Sequence, residues 1–313
     1  QAEDGIRDLV RSRGLGDVYK RQLLGLSTNK PRIWHARRNL EMLTGLILKK
    51  LFRKNLKLVF TSDAQRHHTK YTKKLISRMD AVIAGSQKAA DYLEVPHIII
   101  HHGIDTETFK PNSDKTSLRS ELGLPEGKLI GCFGRIRPQK GVDIFIEVMI
   151  KVCAQDSMAV GIVCGQTTAE HKEFEADLKV RVHNAGFSDR IIFLGTQPSD
   201  RLPLLFSALD LYVAPQRNEG FGLTPLEAMA CGVPVIATTA GAFEEMVLNG
   251  ETGYIVEIED IINMAERLLE LLSNERRRKA LAKASIERVN QHFEIKGEAA
   301  ALVNLYQDLL SKA

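Results

Sequence analysis

No apolar run in this 313-residue chain approaches the ~20 residues that a membrane-crossing helix requires. Cysteine is scarce, and Cys132, Cys153, Cys164 and Cys231 lack metal-ligand spacing. The first three lie in or beside apolar stretches, which reads as buried free thiols in a reducing compartment. Glycine (23) and proline (10) stay near average, which excludes collagen-like and low-complexity chains. Aromatic residues make up only 6% of the chain. In its N-terminal part Trp34, Phe52, Phe60 and Tyr71 are all that could stack on bases, and no nucleic-acid motif accompanies them. Nucleic acid is therefore not an expected partner. What is present, 44% apolar and 26% charged residues, is an ordinary soluble composition with enough chain for two core-bearing domains.

The net charge of +4 conceals a strong polarity. Between Lys30 and Arg78 stand 14 lysines and arginines against two acids, Glu41 and Asp63, a net of +12. Residues 79–313 hold 24 basic and 33 acidic residues, a net of −9. A basic segment of this kind seeks anions. Within it, Leu40 to Lys54 has helical spacing of Leu43, Leu46, Ile47, Leu51 and Phe52, with Lys49, Lys50, Arg53 and Lys54 at the C-terminal end. Two readings stay open: cations complementing a helix dipole, or an interfacial helix on anionic lipid.

Residues 1–22 resemble a translated sequencing adapter. Asp17 to Gln22 back-translate to the transposase end of short-read library adapters, Gln1 to Asp8 to a flow-cell adapter, and Ser12 to Gly16 fit the bridge between them. Such a segment is excluded from fold reasoning. The expectation is a partial N-terminal domain over 23–103 that lacks its opening strands. Apolar strand surface would then be uncovered around Leu58–Phe60 and Val82–Ala84.

The remaining pattern is strand–helix alternation. In the first half, strands are expected at 57–61, 81–84 and 98–100, and helices at 67–79 and 86–93, with a linker over Pro111 to Lys115. In the second half, strands are expected at 129–133, 159–164, 191–194, 210–213 and 233–237. Helices are expected at about 142–154, 168–185, 199–208, 224–231, 242–248, 258–273, 275–291 and 295–311. Continuous apolar strands between amphipathic helices imply an α/β fold whose parallel sheet is covered on both faces. Its ligands bind beyond the strand C-terminal ends, at the topological switch point.

Two loops fall at such ends. Gly134-Arg135-Ile136-Arg137-Pro138-Gln139-Lys140-Gly141 follows strand 129–133. Gly134 and Gly141 permit close backbone approach, and Arg135 and Lys140 are either solvated cations or two charges over a crevice. No Gly-x-Gly-x-x-Gly occurs there, which argues against a nicotinamide-dependent oxidoreductase. The second loop runs from Asn218 through Glu219, Gly220, Phe221, Gly222, Leu223 and Thr224 to Pro225, Leu226 and Glu227. Pro225 suits a first helical turn, and the N–H groups around Leu223 and Thr224 form an anion site for a diphosphate. Glu227 either closes a capping box on the Thr224 N–H or accepts from ribose hydroxyls. Glu219, beside glycine on an exposed loop, suits an acid facing a sugar hydroxyl or developing positive charge.

Together these loops resemble the retaining glycosyltransferases of family 4, whose GT-B fold has two Rossmann-like domains. The resemblance runs from Lys30 onward. It implies a C-terminal nucleotide-sugar domain over 104–291 and a final helix, 292–313, crossing back onto the N-terminal domain. Arg135 and Lys140 look like the family's diphosphate clamp, and Glu219 and Glu227 match its paired-glutamate motif. His102-Gly103-Ile104-Asp105 resembles the interdomain Asn-Gly-Ile-Asp segment, with histidine in place of asparagine. A narrower resemblance is to the lipopolysaccharide-core mannosyltransferases of alphaproteobacteria. It rests on Arg32–Asn39, Ala64–His68 and Ala214-Pro215-Gln216-Arg217. That implies a GDP-mannose donor, an anionic lipopolysaccharide-core acceptor and a peripheral place on the inner face of the bacterial inner membrane. On the acceptor side it points to His35, Arg37, Arg38, His67 and His68. Where many members have a histidine after the strand, this chain has Phe60-Thr61-Ser62. No Asp-x-Asp occurs, so no metal or other cofactor is expected, Arg and Lys taking the place of a cation. A phosphorylase or epimerase on the same fold, and a non-catalytic membrane-surface protein, are the rival readings.

Overall fold

A computed structural model describes residues 30–312. The adapter-like segment 1–22 and the expected domain start at 23–29 lie outside the described residues. In chain order the elements are β1 (Arg32–Ala36), α1 (Asn39–Lys50), β2 (Leu56–Ser62), α2 (Lys70–Ile76), β3 (Ala81–Ala84), α3 (Gln87–Ala90), β4 (Ile98–Ile99) and α4 (Lys115–Leu122). There follow β5 (Lys128–Phe133), α5 (Val142–Gln155), β6 (Ala159–Cys164), α6 (Lys172–Asn184), β7 (Ile191–Gly195), α7 (Leu202–Ala208), β8 (Leu211–Ala214) and α8 (Thr224–Ala230). The chain ends with β9 (Val235–Thr238), α9 (Phe243–Met246), β10 (Gly253–Val256), α10 (Ile261–Ser273), α11 (Glu275–His292) and α12 (Ile295–Ser311). It divides into two units: 30–85 with 89–101 and 296–312, and 86–88 with 102–295.

The first unit is a parallel sheet in the order β1-β2-β3-β4. One face packs Trp34, Leu58 and Phe60 against Met42 and Leu46 of α1 and Leu75 and Ile76 of α2. Gly45 lets α1 lie against the Trp34 ring, which a Cβ there would meet at 2.6 Å. On the other face Val59, Ile83 and Ile100 are covered by Ala301, Leu302, Leu305, Tyr306 and Leu309 of α12. Leu58–Phe60 and Val82–Ala84 are therefore buried. This overturns the expected uncovered surface, because β1 supplies the missing neighbour of β2, pairing Trp34 with Leu58. The sequence reading passed over β1 because Arg32 and His35 interrupt its apolar pattern. Helix α1 stops at Lys50 rather than Lys54, with Arg53 in a left-handed conformation (φ 50°).

The second unit is a parallel sheet in the order β10-β9-β8-β5-β6-β7. Helix α5 buries eight apolar residues from Val142 to Cys153, each such side chain contributing about 1.5–3 kcal/mol. All four cysteines are buried and free, with burial pushing Cys132 and Cys231 up to about 12. Two elements of this unit lie outside the sequence expectations. Strand β10 is four residues long, and α4, capped by Asp114 and ended by left-handed Gly123, begins inside the expected linker.

The chain lays β6 and β7 on one side of β5, then returns to place β8 on the other. The switch point thus lies between β5 and β8. At their N-terminal ends these strands are pinned by Asp210, whose Oδ2 accepts from Leu129 N at 2.7 Å and Arg119 Nη2 at 2.8 Å. Their pairing ends at Gly131 and Tyr212. Beyond it the buried Tyr212 phenol accepts from Phe133 N at 3.3 Å and donates to Phe133 O at 3.1 Å. The side chain satisfies the Phe133 backbone where the ladder stops, as the strands part towards their C-terminal ends.

Candidate functional site

The loop after β5 turns at Gly134 (φ 145°), whose N–H donates to Cys164 O at 2.8 Å. Arg135 is exposed, and among the described residues no bond ties its side chain. A short 3-10 turn, Pro138–Lys140, follows and ends at left-handed Gly141. A Cβ on Gly141 would stand 1.9 Å from Pro215 O, so only glycine lets this loop touch the loop after β8.

The second loop is laced onto the first. Lys140 Nζ donates to Glu219 Oε2, each side chain being 18% exposed. Glu219 Oε1 also accepts from Gly220 N at 3.1 Å. Gly222 (φ 89°) passes under the Phe243 ring, and Gly241 crowds the Glu219 stem. Arg217, which the sequence offers only within the Ala214-Pro215-Gln216-Arg217 resemblance, makes four side-chain hydrogen bonds. It grips both oxygens of Asp143 at 2.8 Å, Glu259 at 2.6 Å and Pro138 O at 2.7 Å. Gln216 is buried, with an amide oxygen that has no partner among the described residues. Nothing in local sequence pattern separates these two residues from ordinary loop polars.

Helix α8 begins at Thr224 after Leu223, which is itself helical, and no side chain caps it. Glu227 does not close the expected capping box: among the described residues its carboxylate makes no hydrogen bond, because the first turn has no extended Ncap for it to reach. Burial pushes this carboxyl up to about 7. Since the group ionises near 4.5 when unfolded, it opposes folding as pH rises from about 4.5 to about 7. Melting temperature should fall across that window and flatten in Glu227→Gln. An unchanged slope in the variant would reject the assignment.

The structure thus gathers Gly134, Arg135, Lys140, Glu219, Gly220, Phe221, Gly222, Leu223, Thr224 and Glu227 about the ends of β5 and β8. His102 packs edge-on against Phe221, their rings 4.9 Å apart. The histidines singled out for the acceptor side belong to the first unit. His35 is held at both ring nitrogens, by Tyr306 Oη at 2.6 Å and Thr61 Oγ1 at 2.7 Å. His67 stands edge-on to Tyr92. His68 Nε2 lies 3.2 Å from Ser62 Oγ, so a histidine six residues downstream reaches the end of β2. Burial and the nearby Arg66 and Lys73 lower its pKa, which favours the neutral ring. Arg37 and Arg38 are exposed at the start of α1, where Arg37 N donates to Glu41 Oε2 at 2.7 Å.

A parallel sheet of switch-point topology, with a cation–carboxylate pair on the loops beyond the strand ends, defines a ligand-binding domain of Rossmann type. Residues 114–288 match the family described as glycosyl transferases group 1, and the chain belongs to it. The chain is 47% identical to the lipopolysaccharide core biosynthesis mannosyltransferase LpsB of Rhizobium meliloti (strain 1021), over 96% of this chain and 85% of that protein. It is 45% identical to the lipopolysaccharide core biosynthesis mannosyltransferase LpcC of Rhizobium leguminosarum bv. viciae, over 93% and 83%. Among solved structures it resembles Anabaena Alr3699/HepE in complex with UDP and glucose, with TM-score 0.82 and 22% identity over 96% of this chain and 84% of that one. The protein is a GT-B glycosyltransferase of family 4 with two Rossmann-like domains, closely related to these lipopolysaccharide-core enzymes. Among the described residues no group of three or more His, Cys, Asp or Glu could hold a metal ion.

Proposed function

We propose that this chain transfers mannose from GDP-mannose, with retention of configuration, to a lipopolysaccharide-core acceptor. The observation that carries the reading is the Lys140–Glu219 pair at the β5/β8 switch point. The names of its Rhizobium relatives favour mannose and the lipopolysaccharide core. Lys140 and Arg135 stabilise the departing diphosphate, helped by the amides that open α8. Glu219 and the backbone of Gly220 to Leu223 hold the donor sugar, and Glu227 accepts from the ribose. The acceptor is met by the first unit, where His68 is the candidate contact. Thermal shift decides the donor: GDP and GDP-mannose should raise the melting temperature more than UDP and UDP-glucose. A larger shift with the uridine compounds would overturn the guanosine assignment.

The same reading places the protein on the inner face of the bacterial inner membrane, against anionic lipid. Leu51 and Phe52, at the end of α1, are 74% and 60% exposed, with basic Lys50 and Arg53 exposed beside them. Apolar groups ringed by cations suit shallow insertion among anionic headgroups. The protein should sediment with anionic but not neutral vesicles, and salt should release it. Equal sedimentation with both, or with neither at low salt, would reject this placement.

A further inference from the structure

We infer that Arg217 is a positioning residue for Lys140: it fixes the turn that carries the cation, without touching the donor itself. Lys140 closes the turn Pro138–Lys140, so its ammonium can be no better placed than that turn. The turn's two preceding carbonyls are both held by residue 217. Pro138 O accepts from Arg217 Nη1 at 2.7 Å, and Gln139 O accepts from Arg217 N at 3.0 Å. The guanidinium is itself immobilised from two further directions. Its Nη1 and Nη2 bind both oxygens of Asp143, in the first turn of α5, and its Nε binds Glu259 Oε1. Glu259 has left-handed backbone (φ 68°), unusual for a glutamate, so the loop after β10 is shaped to present that carboxylate.

Arg217 thereby ties three loop regions of one unit to a single planar group: the turn after β5, the loop after β8 and the segment after β10. A lysine has one point charge and no fork, and cannot make these bonds together. Glu219 lies two residues beyond Arg217 and pairs with Lys140, so the same clamp sets the distance between cation and carboxylate. The arrangement is a rigid support beneath an otherwise flexible lysine. Misplacement of a reacting group by about 1 Å can cost on the order of 10²-fold.

This inference rests on the assignment of Lys140 to the donor diphosphate, and the experiment separates the two. Affinity for GDP and for UDP is measured by calorimetry in the full chain, in Lys140→Ala, in Arg217→Ala and in the double variant. Release of nucleoside diphosphate from GDP-mannose gives kcat and KM for the same set. Lys140→Ala should weaken nucleotide binding about tenfold or more. Arg217→Ala should weaken it similarly, yet add less than about threefold in the Lys140→Ala background, because a support without its cation has nothing left to position. Asp143→Asn, which loosens the fork but keeps its shape, should show the same coupling and takes the place of Arg217→Ala if that variant does not fold. Arg217→Lys should not restore affinity. If the two losses multiply in the double variant, Arg217 acts independently and the inference is wrong while Lys140 keeps its role. If Lys140→Ala leaves affinity and turnover unchanged, the donor assignment fails, and the positioning role falls with it.

Discussion

Lys140→Ala should lower sugar transfer by roughly 10²–10³, the order of loss when one preorganised transition-state donor is removed. The ammonium is mostly buried, held against Glu219, and carried on a turn whose geometry is fixed by Arg217 and by the Gly141–Pro215 approach. Such a group needs little reorganisation when charge develops on the leaving diphosphate. Glu219→Gln should lower transfer by a similar order but with an opposite signature in binding. Removing the carboxylate frees Lys140 from its competing partner, so affinity for the nucleoside diphosphate should hold or rise while kcat falls. Arg135, exposed and with no side-chain bond among the described residues, is the second cation of the proposed clamp, and its alanine variant should show the same direction of loss. Steady-state assays of the three variants against the parent protein check all three. A loss below about threefold for both Lys140→Ala and Arg135→Ala would sink the clamp.

Gly141→Ala should be strongly destabilising for a change of a single methyl group. The residue is left-handed (φ 68°), and the added carbon would sit 1.9 Å from Pro215 O, a backbone atom that cannot swing aside. Left-handed strain alone costs about 1–2 kcal/mol. With the clash, the loss should reach on the order of 4 kcal/mol, roughly 10 °C in melting temperature for a unit of this size. Gly123→Ala is the control: its φ is 67°, but nothing lies within 4 Å of the new carbon, so only the strain remains. Nucleotide binding should also weaken in Gly141→Ala and not in Gly123→Ala, since the first pushes apart the loops that hold Lys140 and Glu219. Melting of Gly141→Ala within about 2 °C of the parent protein would show that the two loops do not meet as described.

Sequence alone determined the α/β class, the parallel sheet of the second unit and the two loops that carry the chemistry. The physical reason is that buried parallel strands such as Ala159–Cys164 read as unbroken apolar runs, and that glycines beside charged residues mark strand-end loops. It also supplied the family, because Arg135, Lys140, Glu219 and Glu227 stand in one ordered constellation. Where pattern was broken, it gave little: β1 carries Arg32 and His35, and β10 opens on Gly253 directly after the turn at Gly250. Tertiary structure alone decided the pairings. The capping-box spacing of Thr224 and Glu227 was real, but with Leu223 helical the carboxylate is buried and, among the described residues, makes no hydrogen bond. Nothing local announces that Tyr212 will replace a backbone ladder at the switch point, that Lys140 will meet Glu219, or that Arg217 will gather Asp143, Glu259 and Pro138. Those are contacts between segments 42 to 79 residues apart. Which polar groups meet across such a span is set by strand order, and strand order is a property of the folded sheet.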